Sequence, residues 1–146
     1  LSIASQDAEI TSISELESTM VGAVVGSPLS SPDLQVSGHV QYTAPLSGGN
    51  ETFWRVDLSY IDSLTNGFPF TPGQAGVPSA NFGYTDNVTK VDLSLGYVTD
   101  KWSAVLYAEN AFDDDGYTFI MPQTFFDDRH MTLRPRTVGI RFTLNK

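Results

Sequence analysis

Along most of this chain apolar and polar residues alternate with a period of two, the pattern of a strand with one apolar and one polar face. Four segments carry it cleanly. Trp54, Val56, Leu58 and Tyr60 share one face against Arg55, Asp57 and Ser59. Val91, Leu93, Leu95 and Tyr97 oppose Asp92, Ser94 and Gly96; Trp102, Ala104, Leu106 and Ala108 oppose Ser103, Tyr107 and Glu109, with Val105 blurring the polar side. Val138, Ile140, Phe142 and Leu144 oppose Thr137, Gly139, Arg141 and Thr143. Residues 34–42 predict a further strand, with Leu34, Val36, Val40 and Tyr42 opposite Gln35, Ser37, His39 and Gln41. Residues 3–17 read as a polar strand of open register, which 20–25 either extend or follow as a short separate piece. Helical spacing is weak throughout.

The connections alternate as well. Residues 99–101 (Thr-Asp-Lys) predict a tight turn and 44–52, around Gly48-Gly49-Asn50, a short one. Residues 61–86 and 112–135 are long, and rich in Gly, Pro, Asp, Asn and aromatic residues; long loops without structure of their own are usually functional.

Composition removes several classes of function. The 146 residues contain no Cys, so disulfides, thiolate metal sites and Cys nucleophiles are excluded. Two isolated His make a His-rich metal site a poor reading, and a net charge of −9 argues against a nucleic-acid partner. No apolar run approaches the ~18 residues of a transmembrane helix. The chain begins at Leu1 with neither a basic nor an apolar leader segment, and the expectation is that an N-terminal part of a longer protein precedes it.

Alternation alone does not separate an apolar face turned to a protein core, as in a β-sandwich, from one turned to lipid, as in a transmembrane barrel. Short turns alternating with long loops favour the barrel. Placing the 99–101 turn on the inner side brings Tyr42, Trp54, Tyr97, Trp102 and Phe142 together at the inner ends of their apolar faces. That is the expected position of an aromatic girdle at headgroup level. Tyr60 is a single candidate for the outer girdle. Arg55, Asp57, Asp92, Glu109 and Arg141 then face inward, toward a plug or water.

Residues 84–112, with Leu95-Gly96-Tyr97, the tight turn, the Trp102-led strand and Asn110-Ala111-Phe112-Asp113, resemble the end of TonB-dependent receptor barrels, with Ala111 where the family usually has Leu. Arg134-Pro135-Arg136-Thr137-Val138-Gly139-Ile140-Arg141-Phe142 resembles the family's C-terminal strand. The likeness is strong over 84–146, weaker over 33–63 and only suggestive over 1–32. Thr137, Gly139, Phe142 and Leu144 also resemble the signal by which barrel-assembly machinery recognises its clients, although the usual terminal aromatic is absent. The resemblance implies an all-β, antiparallel up-and-down transmembrane barrel of the bacterial cell outer membrane, of which 1–146 would be a C-terminal part of about six strands. It also implies an N-terminal plug that engages TonB, and uptake of a scarce nutrient such as a ferric siderophore, a cobalamin or a glycan. No cofactor and no enzymatic step are expected. A passive porin and a soluble β-sandwich binding module are the alternatives.

Candidate chemistry is sparse. Asp113-Asp114-Asp115-Gly116 resembles part of a calcium loop, but Ala111 breaks the spacing. Asp127-Asp128-Arg129-His130 reads as a polar loop with local ion pairs, because one His among carboxylates specifies no catalytic set. Arg134 and Arg136 suit either an anionic ligand or acidic neighbours at the loop-to-strand junction. Phe68, Phe70, Phe82, Tyr84, Tyr117, Phe119, Phe125 and Phe126 make the two long loops the candidates for substrate capture, with mutual packing of the loops as the equal alternative. No individual ligand residue, and no metal or catalytic residue, is assigned.

Overall fold

A computed structural model describes residues 1–121 and 129–145. Its strands are β1 (Ser2–Ser5), β2 (Leu34–Pro45), β3 (Glu51–Ile61), β4 (Val88–Val98), β5 (Trp102–Glu109), β6 (Tyr117–Met121), β7 (Arg129–Thr132) and β8 (Thr137–Leu144), with one helix, α1 (Glu15–Val21). Six strands form one antiparallel sheet in the order β1-β2-β3-β4-β5-β8, and β6 and β7 pair as a separate hairpin. Apart from the β6–β7 hairpin, inserted between β5 and β8, the sheet is an up-and-down meander. It is not closed into a barrel.

The registers join the predicted apolar faces into one continuous surface. Tyr42 lies opposite Trp54, Trp54 opposite Leu95, Leu95 opposite Leu106, and Leu106 opposite Ile140. Because the side-chain period is two, one such row places every even-spaced apolar residue of β2, β3, β4, β5 and β8 on the same side. Among the described residues nothing covers that side: Trp54 is 45% exposed, Leu95 54%, Leu106 51% and Ile140 72%. Among the described residues only Ala23 and Val88 are buried hydrophobics, and both lie beyond the sheet's apolar rows. A water-soluble domain buries its apolar layer against a second layer; among the described residues no second layer packs on the apolar face of this sheet.

The opposite face is polar and carries its own packing. Arg55 Nε donates to Asp57 Oδ2 at 2.7 Å, and Lys90 pairs with Asp92. These pairs offset the like charges of Asp57 and Asp92, which sit directly opposite across β3 and β4. Two aromatic rings lie over glycines of the neighbouring strand. A Cβ on Gly96 would stand 2.0 Å from Phe53 Cε1, and one on Gly139 would stand 2.5 Å from the Tyr107 hydroxyl. Tyr107 in turn receives the Arg141 guanidinium 5.5 Å from its ring centre. Both glycines are therefore set by close approach of a side chain, with no need of an unusual backbone angle.

Two expectations are corrected. Residues 3–17 are not one strand: β1 ends at Ser5, Glu9 makes only an isolated bridge to Pro28, and α1 begins at Glu15. Ser14-x-x-Glu17 is a capping box, with the Glu17 backbone N–H donating to Ser14 Oγ at 3.3 Å and the Ser14 N–H donating back to Glu17 Oε2 at 3.2 Å. Met20 and Val21 belong to the last turn of this helix, and Gly22 closes it in the left-handed region at φ 75°. Residues 112–135 are likewise not structureless, since they hold β6 and β7.

Two outcomes follow. Gly96→Ala should displace the Phe53 ring and lower stability by about 1–3 kcal/mol. Pairing it with Phe53→Leu should recover part of that, as read in urea unfolding followed by fluorescence of Trp54 and Trp102. The hydrogen bonds from Ser14 hold the Glu17 carboxyl below its usual range. The box therefore contributes above that range and is lost as pH falls through the lowered value. Amide protection factors over α1, measured against the intrinsic exchange rate at each pH, should fall in acid in the native chain and stay flat over the same pH range in Glu17→Gln.

Candidate functional site

The short turns gather at one end of the sheet and the long connections at the other. At the turn end, Thr99 Oγ1 accepts from the Trp102 N–H at 3.0 Å, and Asn145 N–H donates to Lys101 O at 2.8 Å. The five aromatic residues expected to coincide do lie at this end of the apolar face. Tyr42 and Trp54 have ring centres 6.1 Å apart; Tyr97 and Trp102 are 5.5 Å apart, as are Trp102 and Phe142. They form two contacting groups, one on β2–β3 and one on β4–β5–β8. Tyr60 is at the far end of β3, half-buried, its hydroxyl 3.4 Å from Asp62.

At the long-connection end, the described residues of 6–33, 62–87 and 110–136 interlock into one cap. Ser30 Oγ donates to Thr65 O at 2.7 Å, the Phe70 N–H to Gly22 O at 3.0 Å, and the Tyr117 N–H to Asp86 Oδ2 at 2.8 Å. The most deeply buried polar residues of the described chain, Ser27, Thr65, Thr85 and Asn110, are all in this cap. Its organisation is therefore polar, built from side chains bonding to backbone.

Asn110 is the fixed point. It is 1% exposed and sits at φ 49°, a left-handed conformation that Asn tolerates better than most residues. Its amide donates to Asp114 O at 2.9 Å and Arg134 O at 3.0 Å, while its carbonyl accepts from the Asp114 N–H at 3.1 Å. Its own N–H donates to Asp92 Oδ1 at 2.8 Å. One side chain thus ties the end of β5 to the segments entering β6 and β8.

The acidic run that resembled part of a calcium loop is occupied by the backbone. Asp113 Oδ1 accepts from the Arg136 N–H at 2.7 Å, Asp114 Oδ2 from the Thr89 N–H at 2.8 Å, and Asp114 Oδ1 from the Gly116 N–H at 3.0 Å. Among the described residues, no group of three or more His, Asp or Glu is placed to hold a metal ion. Arg134 and Arg136 pair with Glu109 at 3.8 Å and Asp113 at 3.9 Å, the acidic neighbours expected at this junction. His130 stacks on Tyr117, ring centres 4.3 Å apart, inside the β6–β7 hairpin. Asp127, Asp128, Phe125 and Phe126 lie outside the described residues.

The loop aromatics divide. Phe82 and Tyr84 pack edge to face at 5.7 Å. Tyr117, Phe119 and Met121 of β6 are each more than 40% exposed, and Phe119, Ile120 and Met121 line a cleft of about 220 Å3 with Ser30, Leu64, Thr65 and Thr85. Phe70 lines a second cleft, between α1 and the 62–87 connection. A third, of about 470 Å3, opens beside His39, Asp57, Lys90 and Asp92. Thr137 and Gly139 face the polar side of β8, and Phe142 and Leu144 the apolar side, where they are 60% and 72% exposed. The pairing of α1 with the 62–87 connection escaped sequence reading; the capping box and Gly22 were its only local signals.

Comparison with protein-family models, with curated proteins and with solved structures found no match to this chain.

Asn110→Ala should leave the Arg134 and Asp114 carbonyls and the Asp114 N–H without their partner, at about 1–3 kcal/mol for each group left buried and unsatisfied. Hydrogen exchange should speed up across 111–117 and 133–136 while β2, β3 and β4 stay protected.

Proposed function

We propose that the six-stranded sheet is part of the wall of an outer-membrane β-barrel, of the TonB-dependent receptor kind, that takes up a scarce nutrient. The observation that carries this reading is the unbroken apolar face, over which the described residues place no protein layer. Strand length agrees. β3 and β4 have 11 residues each; such strands are about 36 Å long, and inclined at roughly 45° they cross about 25 Å, the height of a barrel's apolar band. The mixed charges of Arg55, Asp57, Lys90, Asp92 and Arg141 on the other face suit a water-filled or plugged lumen. The sheet's two edges, on β1 and β8, would pair with further strands, because open edges are not tolerated in lipid.

The choice of the TonB-dependent kind rests on the motif resemblance at 84–113 and 134–142. On that reading the cap faces outward and meets the nutrient, of which a ferric siderophore, a cobalamin and a glycan are the leading classes. TonB acts through an N-terminal plug, and barrel-assembly machinery reads the final strand. Transport then proceeds by gated passage without bond chemistry. A soluble sandwich finds no support in a sheet that leaves Leu95 and Ile140 more than half exposed.

Leu95→Lys and Leu106→Lys should each lose about 2–4 kcal/mol of folding free energy in lipid, as a Lys does near the middle of a bilayer. Ser94→Lys, on the other face, should be near neutral. Refolding of the whole barrel, with the strands that pair to both edges of this sheet, into phosphatidylcholine vesicles at graded urea measures all three. Equal effects on both faces, or full folding of the chain in water without lipid, would overturn the reading.

A further inference from the structure

The net charge of this protein is segregated. In the sequence, connections 6–33, 62–87 and 110–136 hold twelve Asp and Glu against three Arg, while the strands, short turns and C-terminal tail hold five residues of each sign. Along the sequence the whole charge of −9 therefore falls within these three connections. Connections 6–33 and 62–87 carry seven of those carboxylates and not one Lys, Arg or His. These two segments are also bonded to each other: the Phe70 N–H donates to Gly22 O at 3.0 Å and the Gly73 N–H to Thr19 O at 2.7 Å.

Between them lies a cleft of about 220 Å3 lined by Glu15, Ser18, Thr19, Val24, Phe70 and Gln74 among others. Phe70 and Val24 contribute apolar residues to its lining, one of them aromatic, and Glu15 an acidic one. On the adjoining surface Leu16 and Met20, one helical turn apart, are 71% and 63% exposed. An aromatic residue, an acidic residue and two adjoining connections that carry charge of one sign suit a positive charge on an apolar stem, which draws on Coulomb attraction and apolar contact together. An anion meets only repulsion there.

We propose that this cleft is a binding site for an organic cation, an ammonium or guanidinium on an aliphatic stem, as carried by a basic peptide or a polyamine. The inference rests on the preceding reading only in taking the cap as the ligand-facing end. It also narrows that reading, since it turns the surface away from anionic nutrients.

The test uses the whole protein in neutral detergent. The probe is a dansyl-labelled hexapeptide alternating Lys and Leu, with its Glu-for-Lys counterpart as control and spermidine as competitor, followed by fluorescence anisotropy. The Lys probe, spermidine or both should bind, and binding should weaken as salt rises. Glu15→Lys, and independently Val24→Lys, which places a cation in the cleft, should each weaken it at least tenfold. Asp100→Lys makes the same charge reversal as Glu15→Lys at the far end of the sheet and should change it less than twofold. Spermidine competing with the peptide indicates that the charged stem suffices; binding of the peptide alone indicates that Leu16 and Met20 take part. The proposal fails if neither cation binds, if the Glu peptide binds equally well, or if Asp100→Lys weakens binding as much as Glu15→Lys. Because binding is read in detergent, its failure leaves the lipid-refolding result untouched, and the reverse holds as well.

Discussion

The antiparallel hydrogen-bond ladder running from β1 to β8 is the constraint on which the rest of the molecule depends. It satisfies the backbone donors and acceptors of the central strands within the sheet, and it locks a two-residue side-chain period into the same register on every strand. Once Trp54 is paired with Tyr42 on one side and Leu95 on the other, the remaining apolar residues have no freedom to choose faces. A shift of one residue in any pair would carry charged side chains such as Arg55 and Asp57 into the apolar surface. The tight turn at Thr99 and the Gly48-Gly49 turn hold that register at one end, and the rings of Phe53 and Tyr107 seated over Gly96 and Gly139 hold it in the middle.

The cap is built on a different principle. The sheet contributes apolar area on one face, whereas the cap contributes directional polar contacts: Asn110 to two carbonyls, Asp113 and Asp114 to backbone N–H groups, Ser30 and Thr85 across connections. Buried polar groups of this kind are stable only when satisfied, and each then specifies a geometry more sharply than apolar contact does. On the proposed reading of the sheet as barrel wall, that division suits strands that meet an apolar medium and connections that meet water. It also explains why charge concentrates in the cap without disturbing the fold. The carboxylates that are needed structurally are consumed by backbone donors, and the others, such as Glu15, remain available to a ligand.

The strands were legible because strand periodicity is local. The even-spaced apolar residues from Trp54, Val91, Trp102 and Val138 onward name their own face, and the strands they predict are β3, β4, β5 and β8 in the sheet. Alternation of short and long connections similarly foretold which strand ends lie together. Less was visible in the first 33 residues. Alternation there is faint, and the Ser14–Glu17 capping box with Gly22 was the signal that marks a helix instead of a strand. The acidic run at 113–115 looked open for a cation because a sequence does not show which backbone N–H groups will claim its oxygens.

By itself, then, the sequence determined strands β2, β3, β4, β5 and β8, their two faces and the turns between β2 and β3 and between β4 and β5, since each is written in neighbours one or two residues apart. Tertiary structure alone decided that the apolar face would lie uncovered, that Asn110 would anchor the cap, and that α1 would meet the 62–87 connection around a cleft. Those depend on contacts between residues such as Gly22 and Phe70, far apart along the chain and brought together only when the ladder closes and loops of great length return to its edge.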